Sequence, residues 1–208
     1  QRDGFDVRGA VVDVTDHPGL DAAIAETAET YGRLDVAFAN AGIDSGPGFV
    51  GAWAGDSRPR VEEGAIERYT DERWNRVIDI NLTGTFLCAR AGVPLMRRGA
   101  TVVNVLSIAA KQTITGFAAY NASKRGALGL TLTLREELIP KGIRVVALMP
   151  GATATDIWKQ FWPGAPKEKM VRPESIADAV VYAVTLPAAA NLSELELVPV
   201  VGVEPTIP

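Results

Sequence analysis

Two kinds of hydrophobic pattern alternate along the chain. Short apolar runs rich in β-branched residues occur at Gly9–Val14, Leu34–Asn40, Ala100–Leu106, Ile143–Met149 and Leu195–Val201. Each predicts a strand. The middle three lack the period-two alternation of a half-exposed strand and suit strands buried on both faces of a parallel sheet. Longer stretches between them carry apolar residues at helical spacing. Pro18–Tyr31 predicts a helix closed by Gly32. A second opens at Thr70 as N-cap, with Asp71 and Glu72 at the positive end of the dipole. A third runs from about Ala118 to Leu138 and is ended by Pro140, and a fourth opens at Pro173-Glu174 and continues through Val184. Strands alternating with helices predict an α/β fold with a doubly wound parallel sheet. Ligands on such sheets bind outside the carboxyl ends of the strands, so residues just after each strand are the first candidates for chemistry.

Two stretches break the alternation. Residues 44–69 are long, charged and rich in glycine and proline, and a loop of that length inside a compact domain is usually functional or mobile. Residues 153–171 hold Trp158, Phe161, Trp162, Pro163 and Pro166. They read either as a lid over a substrate pocket or as a surface loop anchored by its aromatics.

Composition narrows the field. The 208 residues suffice for one domain with its own core, 1–208. A net charge of −4 gives no basic footprint for nucleic acid. One cysteine, Cys88, and one histidine, His17, leave no disulfide, no metal cluster and no Ser-His-Asp or Cys-His constellation. Cys88 lies between apolar neighbours and is expected in the core, and His17 is expected in a loop or first helical turn without a role. No apolar run reaches the roughly 18 residues of a membrane span. With no signal-like apolar run at the start, a cytoplasmic location is expected.

The remaining chemistry gathers on a few residues. Tyr120 and Lys124, four apart on the third helix, project from one face. A free tyrosine has a pKa of about 10. A neighbouring ammonium stabilises the phenolate, making the pair a tuned general acid/base. Ser107 follows a buried strand, where its hydroxyl can hold a substrate oxygen. Asn81, in Asp79-Ile80-Asn81-Leu82-Thr83-Gly84, is poor helix material and predicts a local break whose freed carbonyl could hold a water. Pro150-Gly151-Ala152-Thr153-Ala154-Thr155 predicts a rigid turn followed by hydroxyls.

Taken together, Asp13-Val14-Thr15-Asp16, Asn40-Ala41-Gly42, Asn81 in its INLTG context, Val103-Asn104-Val105-Leu106-Ser107, Tyr120-Asn121-Ala122-Ser123-Lys124 and Pro150-Gly151 with Thr155 resemble, in order and spacing, the short-chain dehydrogenase/reductase family. The resemblance runs from about Gly9 to Val200 and implies a Rossmann-like fold and an NAD(P)-dependent oxidoreductase interconverting an alcohol and a ketone or aldehyde. It implies that Tyr120 is the proton donor or acceptor and that Lys124 lowers its pKa and binds the nicotinamide ribose. Ser107 would bind the substrate oxygen, and Asn81 would maintain a water relay to Lys124. Cofactor contacts would come from Asp13 and Val14 at the adenine, from Asn40, Ala41 and Gly42 at the adenosine ribose, and from Pro150, Gly151, Thr153 and Thr155 at the nicotinamide. Trp158 and Trp162 either line an apolar substrate pocket or anchor the core. Asn40 could equally tie neighbouring strands, and Thr155 could cap a lid helix. A homodimer or homotetramer is also implied.

Three departures stand out. Leu106 replaces the first of the two serines common at the end of the central strand. The 44–69 connection is longer than usual. No TGxxxGxG phosphate loop is present, so the family's first two strands and its pyrophosphate site are expected in roughly 45–55 residues upstream, the length of two βα units. A non-catalytic scaffold that has lost cofactor binding is the alternative. The intact Asn81, Ser107, Tyr120 and Lys124 disfavour it.

Overall fold

The computed structural model describes residues 6–44, 64–114, 116–161, 164–187 and 189–200. Four parallel strands form one sheet in the order β1 (Leu34–Ala39), β2 (Met96–Val105), β3 (Arg144–Pro150) and β4 (Glu194–Leu197). β2 and β3 pair in register from Thr101 opposite Arg144 to Val105 opposite Leu148. Their side chains alternate between two buried faces, which is why both strands read as continuous apolar runs.

On one face, Val102 of β2 and Val145 of β3 pack on Leu138, while Ala147 and Met149 pack on Ala127. That layer is built by α1 (His17–Tyr31), α3 (Gly84–Gly92) and α4 (Ala118–Leu138). On the other face, Val103, Val146 and Leu148 pack on Ala183, with Ile176, Val180 and Val184 of α6 (Pro173–Thr185) around them. The helices thus lie on both sides of a parallel sheet, the Rossmann-like arrangement the sequence predicts.

The helix signals hold closely. Asp16 caps α1 by accepting from Gly19 N at 3.2 Å, and Gly32 ends it in the left-handed region at φ 71°. Thr70 caps α2 (Asp71–Ile78) by accepting from Arg73 N at 3.2 Å. The break predicted at Asn81 is a π-helical turn, Asp79–Thr83, between α2 and α3.

Residues 9–14 are a correction: the run reads as a strand but forms none, and Val11 is fully exposed. A strand requires a ladder partner, and none of the described residues pairs with this segment. The chain turns instead at Asp13, whose carboxylate accepts from Thr15 N at 2.9 Å and Thr15 Oγ1 at 2.8 Å. The last strand is also shorter than expected, ending at Leu197 rather than at residue 201. Cys88 is half-buried rather than a core residue, and burial pushes its thiol up. Residues 45–63, most of the expected insertion, lie outside the described residues, as does Trp162.

Leu148 is completely buried between β3 and α6. Leu148→Ala is expected to lower unfolding free energy by about 2–5 kcal/mol. Urea denaturation measures it, and a loss below about 1 kcal/mol would contradict the two-faced packing of β3.

Candidate active site

β2, β3 and the segments leaving their carboxyl ends open into a cleft of about 690 Å³. Ser107 stands just past β2 and is buried. Its backbone is extended, and its Oγ accepts from Ala109 N at 3.1 Å, capping the short turn Ile108–Ala110. That bond uses one lone pair of the hydroxyl and leaves its proton available to a ligand.

α4 supplies the next two groups. Tyr120 is half-buried in its first turn, with its ring edge-on to Phe117 at 6.2 Å between centroids and 78° between planes. One turn later Lys124 is only 4 % exposed. Its Nζ donates to the Val105 carbonyl at 3.0 Å and lies 5.7 Å from the centre of the Tyr120 ring. Burial pulls the Lys124 pKa down to about 8, because desolvation penalises the ammonium. Ser107, Tyr120 and Lys124 all line the cleft.

Asn81 does not line the cleft; it holds the wall behind it. Its Oδ1 accepts from Ile43 N at 2.8 Å, and its Nδ2 donates to Ile43 O at 2.8 Å and to Ser123 Oγ at 3.1 Å. Ser123 Oγ in turn donates to the Tyr120 carbonyl at 2.8 Å. The side chain therefore joins the segment leaving β1 to the helix that carries Tyr120 and Lys124. The backbone carbonyl of Asn81, expected to be free for a water, accepts from Thr85 Oγ1 at 2.8 Å. Thr85 thus fills one of its two lone pairs.

Of the predicted cofactor residues, Asn40, Gly42, Pro150, Gly151, Thr153 and Thr155 line the cleft together with Lys124. Asp13 and Val14 do not. Asp13 is engaged with Thr15, while Val14 packs at Gly84, where a Cβ would lie 3.1 Å from Val14 Cγ2. Ala41 is exposed and outside the cleft lining.

Trp158 begins the short helix α5 (Trp158–Phe161) and is buried with Phe117, Ala152 and Met170. It also lines the cleft, so core anchor and pocket wall are the same residue. Its Nε1 donates to Thr153 O at 2.7 Å. The base of the 153–171 segment is closed by Ala154 N to Val171 O at 2.9 Å and Val171 N to Ala152 O at 3.0 Å. Sequence reasoning missed Ile114 and Phe117 as cleft residues, although they fall between the flagged Ser107 and Tyr120. It quoted Ser123 only as part of a motif.

No helix among the described residues is long and apolar enough to cross a membrane, and among them no group of three or more metal-ligating side chains gathers.

Comparison with known proteins gives the family and agrees with the fold. The family model for short chain dehydrogenases matches residues 1–165. The 3-oxoacyl-(acyl-carrier-protein) reductase of Synechocystis sp. is 33 % identical over 184 residues, covering 84 % of this chain and 66 % of that protein. Human dehydrogenase/reductase SDR family member 4 is 34 % identical over 174 residues, covering 83 % of this chain and 57 % of that protein. The chain thus spans somewhat less than two thirds of the length of these relatives. Among solved structures, an alcohol dehydrogenase from Thermococcus sibiricus complexed with 5-hydroxy-NADP superposes with a TM-score of 0.73 at 26 % identity. That match covers 91 % of this chain and 73 % of the archaeal one. By its family model and these relatives, the chain belongs to the short-chain dehydrogenase/reductase family.

Proposed function

We propose that this oxidoreductase interconverts an alcohol and a ketone or aldehyde with NAD or NADP as the redox partner, and that Tyr120 is its general acid/base. The observation that carries the reading is the convergence of Ser107, Tyr120 and Lys124 on one cleft at the carboxyl ends of β2 and β3.

The donor set suits the nicotinamide-ribose end of a dinucleotide. Lys124 Nζ has three protons and gives one to Val105 O, so the ammonium facing the cleft has donors for ribose hydroxyls. At Gly42 a Cβ would lie 3.5 Å from Lys124 Nζ, so the missing side chain keeps the approach to the ammonium open. Asn40, Gly42, Pro150, Gly151, Thr153 and Thr155 would complete the contacts. The cofactor, when bound, accepts or donates the hydride.

The chain's own residues manage the proton and the orientation. In reduction the Tyr120 hydroxyl gives its proton to the carbonyl oxygen; in oxidation the phenolate takes it from the carbinol. Ser107 holds that same oxygen. The Lys124 charge, 5.7 Å from the centre of the Tyr120 ring, stabilises the phenolate. Half-exposed apolar side chains on α2, α3 and α4 (Trp74, Phe86 and Leu132) support the further proposal that the protein is a homodimer or homotetramer.

Tyr120→Phe is expected to lower kcat by about 10²–10⁴-fold, the usual share of general acid/base catalysis, while leaving NADH or NADPH binding intact by tryptophan fluorescence. A near-wild-type kcat would refute the assignment. Lys124 also makes stability depend on pH. Its folded pKa, about 8, lies below the ordinary lysine value near 10.5, so between those limits the unfolded chain holds a proton that the folded chain has lost. Stability therefore rises with pH from about 8 to 10.5. Comparing urea unfolding of wild type and Lys124→Met across that window should show the rise only in wild type. Parallel curves would contradict a buried, destabilised ammonium. Light scattering should give a mass of two or four protomers, and a monomer at micromolar concentration would exclude the oligomer.

A further inference from the structure

Two asparagines in this site make the same grip. Asn81 holds both backbone groups of Ile43; Asn121, beside Tyr120 on α4, holds both backbone groups of Ile114. Ile114 N donates to Asn121 Oδ1 at 3.2 Å, and Asn121 Nδ2 donates to Ile114 O at 2.6 Å. The Ile114 carbonyl also accepts from Phe117 N at 3.3 Å, so both its lone pairs are used. One turn further along α4, Arg125 reaches the same segment, donating to Thr113 Oγ1 at 2.9 Å and to Gln112 O at 3.3 Å. Residues 112–114 are thereby stapled to the helix that bears Tyr120 and Lys124.

The staple places apolar surface. Ile114, Phe117 and Trp158 line the cleft and pack with Tyr120 and Ala152 in one cluster. Trp158 spends its Nε1 proton on Thr153 O. The ring of Phe117 meets Tyr120 edge-on, so this wall stands directly beside the group proposed to handle the proton.

We infer that Asn121 is a specificity-determining positioning residue: by fixing Ile114 and Phe117 as the apolar wall beside Tyr120, it selects carbonyl substrates whose non-reacting arm is neutral and apolar. This rests on the oxidoreductase reading above. Asn121 touches neither the reacting atoms nor the arm and acts through Ile114. The arm gains by leaving water for that wall, whereas a carboxylate on the same arm would lose its hydration there.

The test uses three methyl ketones in the full-length protein, with a methyl, a pentyl or a carboxybutyl arm. Wild type should favour the pentyl arm over both others by about tenfold or more in kcat/KM. Asn121→Ala should reduce the pentyl-to-methyl ratio by about tenfold, and Ile114→Ala should do the same without disturbing the backbone grip. Because Asn121 acts through Ile114, the double variant should fall no further than Ile114→Ala alone. A merely structural role would lower melting temperature and all three activities in proportion, leaving the ratio unchanged. An unchanged ratio in a folded Asn121→Ala, additive losses in the double variant, or a wild type indifferent to the arm would each overturn the inference. If Asn121→Ala does not fold, the arm preference of Ile114→Ala decides. A Tyr120→Phe variant that stays active would overturn the acid–base reading while leaving these ratios interpretable.

Discussion

A single hydrogen bond organises this site: the buried Lys124 ammonium on the carbonyl of Val105 at 3.0 Å. It ties the second turn of α4 to the last residue of β2, so helix and sheet edge meet at a fixed distance. The burial of the Lys124 side chain takes a charge out of water, which is costly and draws the pKa to about 8. A side chain so placed keeps its proton near neutrality but holds it weakly. The centre of the Tyr120 ring lies 5.7 Å from that charge.

The surrounding polar network keeps that arrangement in register. Asn81 and Ser123 join the segment after β1 to the first turns of α4, and the π-helical turn at Asp79–Thr83 aims Asn81 inward between two helices. Asn121 and Arg125 do the equivalent on the opposite flank. α4 is thus held by side-chain amides on both sides of Tyr120, which limits the wandering of a residue proposed to move a proton. Such positioning is worth little as net stability per bond, but the groups become expensive if one partner is lost.

Much of this was legible in the chain. The apolar runs of β2 and β3 and the caps at Thr70 and Gly32 are local signals, as is the i, i+4 spacing of Tyr120 and Lys124. Local physics preserved them. The break at Asn81 was legible for the same reason, since Asn followed by Thr-Gly resists a regular helix. Residues 9–14 were misread because β-branched composition says a segment can pair, not that a partner strand lies beside it. The grips of Asn121 on Ile114 and of Ser123 on Asn81 were invisible, because a polar side chain does not encode which distant backbone group it will meet. Ile114 and Phe117 entered the cleft through that same tertiary placement.

The central proposal is that the buried Lys124 charge sets the ionisation of Tyr120. Titrating tyrosinate absorbance in wild type, with the Tyr120→Phe curve subtracted, measures it directly. The account predicts a Tyr120 midpoint well below the free value of about 10, moving back toward it in Lys124→Met. A midpoint at the free value, or one that Lys124→Met leaves in place, would contradict it.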